Sequence, residues 1–525
     1  MNDSVVLEPD EKAAKAEVKV PSKAWLSLIA VALGMMVVQL DGTVVSIANP
    51  AIATGLHASL DGIGWVTTAY LLVLAGLLIP AGTVADKIGH KKAFLIGIGG
   101  FSLASLACGL AGSIEVLIGG RVLQAVFGAL LGPAGLAVLR AAFPPEKLAM
   151  AFGWFGSVSA VALAGGPVLG GVLVEYASWP WVFFINLPFG VVAVLVGLTV
   201  IPNSAERSAH RLDLPGAVTL TCAMVSAIWG VTRAQAEGWG SVSTLGFIAL
   251  GVVLLAAFVV IERRTANPMV PLGLFRNRTF TVGCLLMLVT MFAFFAILFY
   301  LTFFLQGVQG KSAIMAAVAM LPLTAVFTFA SPVAGWVTGK LGVRGTLMTG
   351  AVFTVASLAL LLRLEPESGF MTLAPALVLA GIGVGFMMVP AIQAIVGSAP
   401  VDKAGVASGV QQSTQQLGST LGIAVFGSLL SSVVGSRFAT AVREALGGGP
   451  VADRIANDEQ LRKSVELGFP PAAQQGLPAE TASAVTRAAH DTFVGGMHTV
   501  FLVAAAVAVV AGLLSLLVRA PEASA

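Results

Sequence analysis

Runs of about twenty apolar residues, broken by short charged or Pro/Gly-bearing segments, recur from Trp25 to Val518. At ~1.5 Å per helical residue, each run can cross the ~30 Å hydrocarbon core of a bilayer. The pattern predicts fourteen spans, at residues 25–49, 63–85, 93–111, 114–140, 149–174, 181–201, 214–233, 244–261, 280–305, 313–338, 346–363, 370–396, 404–434 and 496–518. Lys and Arg sort between the connections. With both termini placed on the cytoplasmic side, nineteen basic residues fall in cytoplasmic segments, against three (Arg233, Lys311 and Arg363) at short external loops and span ends. Short cytoplasmic loops favour Lys and Arg, so the asymmetry predicts an even number of spans with both ends inside. Residues 435–495 mix six basic with seven acidic residues, and a loop this long is exempt from the charge rule. It reads as an external hairpin of two short helices, Val451–Glu466 and Ala479–His490, joined at Gly468-Phe469-Pro470-Pro471; a disordered insertion is the alternative.

Composition agrees with the pattern. Only 10% of residues are charged, against ~25% in soluble domains, and 57% are hydrophobic. The expected fold class is an all-α polytopic membrane protein. A net charge of +3 then marks topology and not a nucleic-acid partner. Cys108, Cys222 and Cys284 all lie in apolar runs, an odd set that argues against a disulfide framework. Residues 1–23 are polar, and the apolar run after them is too long for a signal-peptide core, so an uncleaved anchor is expected.

The chain also repeats at an offset of 253–257 residues. Gly82-Thr83-Val84-Ala85-Asp86-Lys87-Ile88-Gly89-His90-Lys91 aligns with Gly335-Trp336-Val337-Thr338-Gly339-Lys340-Leu341-Gly342-Val343-Arg344. Pro144-Pro145-Glu146-Lys147 aligns with Pro400-Val401-Asp402-Lys403, which sets Ala151 and Gly153 on Ala407 and Gly409. Two six-helix halves follow, 25–201 and 280–518, the second including the loop 435–495. Two inserted helices with cytoplasmic linkers occupy 202–279, and tails occupy 1–24 and 519–525. Related halves around a central site are the architecture of alternating-access transporters.

Asp41 lies within the first span. A carboxylate at membrane depth costs ~2.5–3.5 kcal/mol on insertion scales, so it is read as functional, most often in ion or proton handling. Arg121 lies roughly 9 Å and Asp41 roughly 12 Å from the outer ends of their helices, from the helical rise. At matching depth the two can pair or share a water network; a purely structural salt bridge is the alternative. The loop between spans two and three, Gly82–Lys92, combines glycines for a tight turn with Asp86, which can cap a neighbouring helix or pair with Lys87 or Lys91. Gln411-Gln412-Ser413-Thr414-Gln415-Gln416 would be costly facing lipid and should face a cavity or another helix. Phe292, Phe294, Phe295, Phe299, Tyr300, Phe303 and Phe304, with Met287, Met291, Met387 and Met388, form either an adaptable apolar pocket or a packing surface.

These motifs together resemble the fourteen-span drug/proton antiporter branch of the major facilitator superfamily, over about residues 25–518. The loop signature is matched by Gly82, Ala85, Asp86, Gly89 and Lys91, with Lys87 and His90 replacing arginines. The first-span motif resembles Leu40, Asp41, Thr43, Val44, Val45 and Pro50. Trp65 and Tyr70 look like the second-span Trp and Tyr, and Trp179–Pro188 is similar to a Trp-Arg-Trp…Asn-x-Pro signature, with Pro180 in place of the arginine. Gly165–Gly171 resembles the antiporter signature of span five, with Ala162 in place of its first glycine.

The resemblance implies proton coupling by Asp41 and Arg121. It implies a conformational gate built from Gly82, Asp86, Lys87, Gly89, Lys91, Gly166, Pro167 and Gly170. The expected cavity lining is Gln39, Tyr70, Gln124, Asn186, Phe295, Phe299, Phe303, Gln411 and Gln415. The implied partners are protons, the bilayer and a lipophilic small molecule, carried by a monomer with no cofactor, metal or catalytic residue. Asp41 is the one carboxylate placed deep in a span, which argues against dicationic substrates. Gly307–Ser312 lacks the first glycine of a phosphate loop, so energy is expected from an ion gradient. A membrane-embedded enzyme or a non-transporting sensor are the rival classes; neither a His/Ser/Asp constellation nor a signalling domain supports them.

Overall fold

A computed structural model describes residues 20–58, 60–203, 213–466, 468 and 478–518, and every regular element among them is helical. The first half comprises α1 (Ser22–Leu56), α2 (Leu60–Ile88), α3 (His90–Gly109), α4 (Ile114–Ala142), α5 (Pro145–Tyr176), the single turn α6 (Trp181–Phe184) and α7 (Asn186–Val200). An inserted pair follows, α8 (Leu214–Glu237) and α9 (Val242–Arg264). The second half comprises α10 (Arg278–Phe303), α11 (Ala313–Ala319), α12 (Leu321–Leu361), α13 (Phe370–Val396), α14 (Ala404–Leu446), α15 (Pro450–Ala456), α16 (Glu459–Glu466) and α17 (Ala479–Ser515). Polar residues set several helix starts. Ser113, Asp213, Ser241 and Asn277 each turn a side-chain oxygen onto a backbone N–H in the first turn of α4, α8, α9 and α10.

The span count differs from expectation. Among the described residues, twelve helices are long and apolar enough to cross a membrane. The predicted spans 313–338 and 346–363 lie on either side of Gly342 in what is otherwise one continuous helical stretch. A short α11 stands apart, and the rest forms α12, which leaves helical geometry only at Gly342, with φ 74°. A straight 41-residue helix would run ~60 Å, about twice the hydrocarbon core, so this one-residue break divides it. The predicted fifth span lies in α5, which is not among the twelve. The loop also departs from expectation. α14 continues to Leu446, the two short helices are α15 and α16, and Ala479–His490 is the beginning of the long α17. Residues 469–477 of the expected turn lie outside the described residues, as do the tails 1–19 and 519–525.

Within the first half α1 packs on α5, and α4 packs on α2 and α3; in the second, α10 and α17 pack on α14, and α12 on α13. The halves meet where α2 packs on α14 and α5 on α12. The inserted pair covers the first of these seams, because α8 packs on both α2 and α14. The Thr221 hydroxyl donates to the Gly76 carbonyl of α2 at 3.1 Å, Trp229 stacks on Trp65 at 5.3 Å, and the Trp239 indole donates to Ser428 of α14.

Candidate functional site

At one end of the molecule the two seams are built alike. Gly82 lies against Gly405 and Val406, and Gly335 against Ala149 and Met150; a Cβ on either glycine would overlap backbone of the facing half. Gly409 lies against Leu78 and Ile79, and Gly153 against Ser331 and Pro332. Each contact in one seam thus has its repeat-related partner in the other. Gly89 and Gly342, also aligned by the repeat, both have positive φ (94° and 74°), a conformation glycine adopts without steric cost.

Among the described residues, only the first seam carries a charge lock. The two oxygens of Asp86 accept the Gly405 and Val406 backbone N–H groups at 2.7 and 2.9 Å. These are first-turn donors of α14 that have no partner within their own helix, and a negative charge there also meets the positive helix end. Asp86 further bonds His90 Nε2 at 2.8 Å. It does not pair with Lys87 or Lys91 among the described residues, and Lys91 donates instead to the Leu198 carbonyl at 2.7 Å. Gly166 and Gly170 play another part. They bring α5 against Thr43 and Val44 of α1, inside the first half. The side chain of Pro167 lies outside the described residues.

Asp41 and Arg121 come together. Arg121 of α4 ion-pairs with Asp41 of α1, and both are 1% exposed. The other carboxylate oxygen accepts from Gln124 Nε2 at 3.1 Å and Asn186 Nδ2 at 3.0 Å. Arg121 also donates to Gln124 Oε1 at 2.9 Å and, through Nε, to the Val66 carbonyl at 3.2 Å. Ser105 of α3 accepts from Gln124 and Asn186 at 2.7 and 3.3 Å. The ring of Tyr70 covers the guanidinium, 3.9 Å from its carbon to the ring centroid. Five helices of one half therefore converge on one ion pair. A buried ion stripped of its partner carries a penalty of several kcal/mol, so this density of partners is what lets the charges sit here.

Between the halves lies a cavity of about 410 Å³. Met291, Phe294, Phe295 and Phe327 give it an apolar wall from the second half, and Gln39, Thr43, Thr68, Gln415, Gln416 and Thr420 supply amides and hydroxyls. Among the described residues, no charged side chain lines it. Asp41 is set behind the wall, while its neighbours Gly42 and Thr43 and the cover of its partner, Tyr70, face the space. A smaller cavity toward the closed end is lined by Gln39, Gln411, Gln412, Gln415 and Gln416.

Of the expected lining, Gln39, Tyr70, Phe295 and Gln415 face the main cavity, and Gln411 the smaller one. Gln124 and Asn186 do not line the main cavity; they are fully buried and spent on Asp41. Phe299 and Phe303 are likewise not on its wall; their rings meet edge to face with centroids 4.7 Å apart and pack against the core. The sequence reading missed Ser105, and it missed Ile228 and Thr232 of the inserted α8, which face the main cavity. Lone hydroxyls in apolar helices are weak signals, since each can satisfy itself on the preceding turn, as Thr232 does on Ile228 O at 2.9 Å.

The family profile of the Major Facilitator Superfamily matches residues 31–423. Over 503 residues the chain is 42% identical to the tetracenomycin C resistance and export protein of Streptomyces glaucescens, covering 95% of this chain and 92% of that protein. It is 37% identical over 410 residues to a puromycin resistance protein of Streptomyces alboniger, covering 77% and 81%. The crystal structure of the human organic anion transporter MFSD10 (TETRAN) superposes with a TM-score of 0.56 over 94% of this chain and 100% of that one; at 14% identity the likeness is one of fold. Similarity of this extent, on two helical halves around a central cavity, makes the chain a multi-pass membrane transport protein, not an enzyme, and a member of the Major Facilitator Superfamily.

Proposed function

We propose that the protein is a proton-coupled antiporter that exports lipophilic small molecules across the cell membrane by alternating access, with fourteen spans and both termini cytoplasmic. The observation that carries the reading is the buried Asp41–Arg121 pair, one layer behind the wall of the inter-half cavity. Protonating Asp41 cancels the charge that holds Arg121. The guanidinium is then left on Gln124 and the Val66 carbonyl, and Tyr70 carries the change to the cavity wall. In this orientation the end closed by Asp86 faces the cytoplasm, the arrangement in which substrate leaves outward and a proton enters. One proton moving down 100 mV supplies about 2.3 kcal/mol, roughly a forty-fold substrate gradient. The alternative is a narrower version of the same machinery, a dedicated exporter of a single natural product or lipid, and kinship to a tetracenomycin C export protein along nearly the whole chain supports the natural-product form. A narrow substrate profile in cells lacking other pumps would select it.

The test is purified protein in liposomes under an imposed pH gradient, with internal pH followed as candidate compounds are added. Substrate-triggered proton flux that disappears in Asp41→Asn is expected. Undiminished flux in that variant would remove Asp41 from the mechanism.

A further inference from the structure

The two walls of the main cavity differ in what they can recognise, and the difference defines a ligand. Four of the lining hydroxyls have already committed their protons, while that of Thr68 makes no hydrogen bond among the described residues and can also donate. Thr43 donates to Leu40 O at 3.0 Å, Ser159 to Phe155 O at 3.1 Å, Thr232 to Ile228 O at 2.9 Å and Thr420 to Gln416 O at 2.9 Å. What these groups have left to offer a ligand is lone pairs, which accept hydrogen bonds; the Thr43 oxygen also packs against Gly166 of α5. The amides of Gln39 and Gln416 make no hydrogen bond among the described residues, and can both donate and accept. The second-half side chains Met291, Phe294, Phe295 and Phe327 offer aromatic and thioether faces but nothing that hydrogen-bonds strongly. No carboxylate reaches the space, and the nearest charge pair behind it is neutral as a unit, so a desolvated cation would meet no counter-charge.

We infer that the cavity takes an uncharged, flat aromatic molecule bearing several hydroxyl donors together with carbonyl acceptors, its ring faces against Phe294, Phe295 and Phe327 and its polar edge toward Gln39, Gln416 and the threonine lone pairs, one of them Thr232 of the inserted helix. This rests on the export reading and sharpens it. A quaternary ammonium ion lacks donors for the threonine oxygens and finds no negative partner. A fully methylated ether of the same ring system keeps the stacking and loses the donors.

Direct binding separates this inference from the transport reading. Equilibrium dialysis of the purified full-length protein would compare three probes: an uncharged trihydroxyanthraquinone, its trimethyl ether, and a derivative carrying a trimethylammonium group. The hydroxyquinone is expected to bind at least tenfold more tightly than either of the others on the unmodified chain. The variant Gln416→Glu, which places a carboxylate on the wall, is expected to raise affinity for the ammonium probe at least tenfold. Equal or tighter binding of the ammonium probe to the unmodified chain overturns the inference, as does equal binding of the trimethyl ether. If the expected order holds but no probe moves against a gradient in liposomes, the export reading falls and the ligand class stands. Proton-driven movement of a probe combined with indifference to charge and hydroxyls gives the converse.

Discussion

At the residue scale, the chemistry concentrates on Asp41 and the groups that neutralise it. Asparagine at this position keeps the shape and can still accept from Gln124 and Asn186, but holds no charge against Arg121. Asp41→Asn is therefore expected to fold, with proton-coupled flux reduced at least tenfold in liposomes. Arg121→Ala leaves a carboxylate buried beside neutral donors, a loss of about 3–5 kcal/mol for a broken buried pair. Adding Asp41→Asn to that variant should recover ~0.5–3 kcal/mol, the coupling typical of contacting residues, read as a thermal shift in detergent. If the double variant is no more stable than Arg121→Ala alone, the two charges are not each other's main support. Tyr70 divides roles in the same way. Tyr70→Phe keeps the face over Arg121 and should retain flux, while Tyr70→Leu, which removes the ring, should lower it.

At the scale of elements, the closed end is a helix terminus docked on a carboxylate. A hydrogen bond to a charged group is worth about 1.5–3 kcal/mol, and Asp86 makes two of them with the start of α14. Asp86→Asn should weaken this end by ~1.5–3 kcal/mol, a shift of about ten- to a hundred-fold toward separation of α2 and α14. The measurement is thiol labelling of Ile79→Cys, which packs under Gly409, in a background where the exposed Cys222 is replaced by serine; Cys108 and Cys284 are buried. Unchanged labelling would show that the glycine contacts alone hold the seam. The related seam between α5 and α12 has Gly339 where the repeat places Asp86, so its closure rests on packing at Gly335 and Gly153 and on the hydrogen bond that the Ser157 hydroxyl donates to Thr328 O at 2.6 Å.

At the scale of the whole molecule, the inserted helices bear on both a seam and the cavity. α8 bridges the two halves along one seam and presents Ile228 and Thr232 to the cavity. A Cβ at Gly76 would come within 3.1 Å of the Val225 and Thr221 side chains. Gly76→Leu should therefore push α8 off α2 and lower transport several-fold while the Asp41–Arg121 pair, on the other helices, stays intact. Full activity in that variant would show that α8 need not rest on α2.

The apolar runs were legible in the sequence because bilayer thickness fixes helix length, whatever the helices pack against. Asp41 and Arg121 were legible as a pair because charge in an apolar helix demands a partner, and equal depth names one. Gly82, Gly89, Gly335 and Gly342 were legible through the repeat. The sequence separated two spans where Lys340 and Arg344 mark a polar segment, but could not show that the connection narrows to a single non-helical residue, Gly342, in an otherwise continuous helical stretch. Nor could it tell that Gln124 and Asn186 face inward to Asp41 while Gln39 and Gln416 face the cavity: all four are amides in apolar helices, and helix rotation decides. That α8 closes a wall, that Asp86 caps a helix 319 residues away, and that no charge reaches the cavity were decided by tertiary structure alone, because each depends on which faces of distant helices meet.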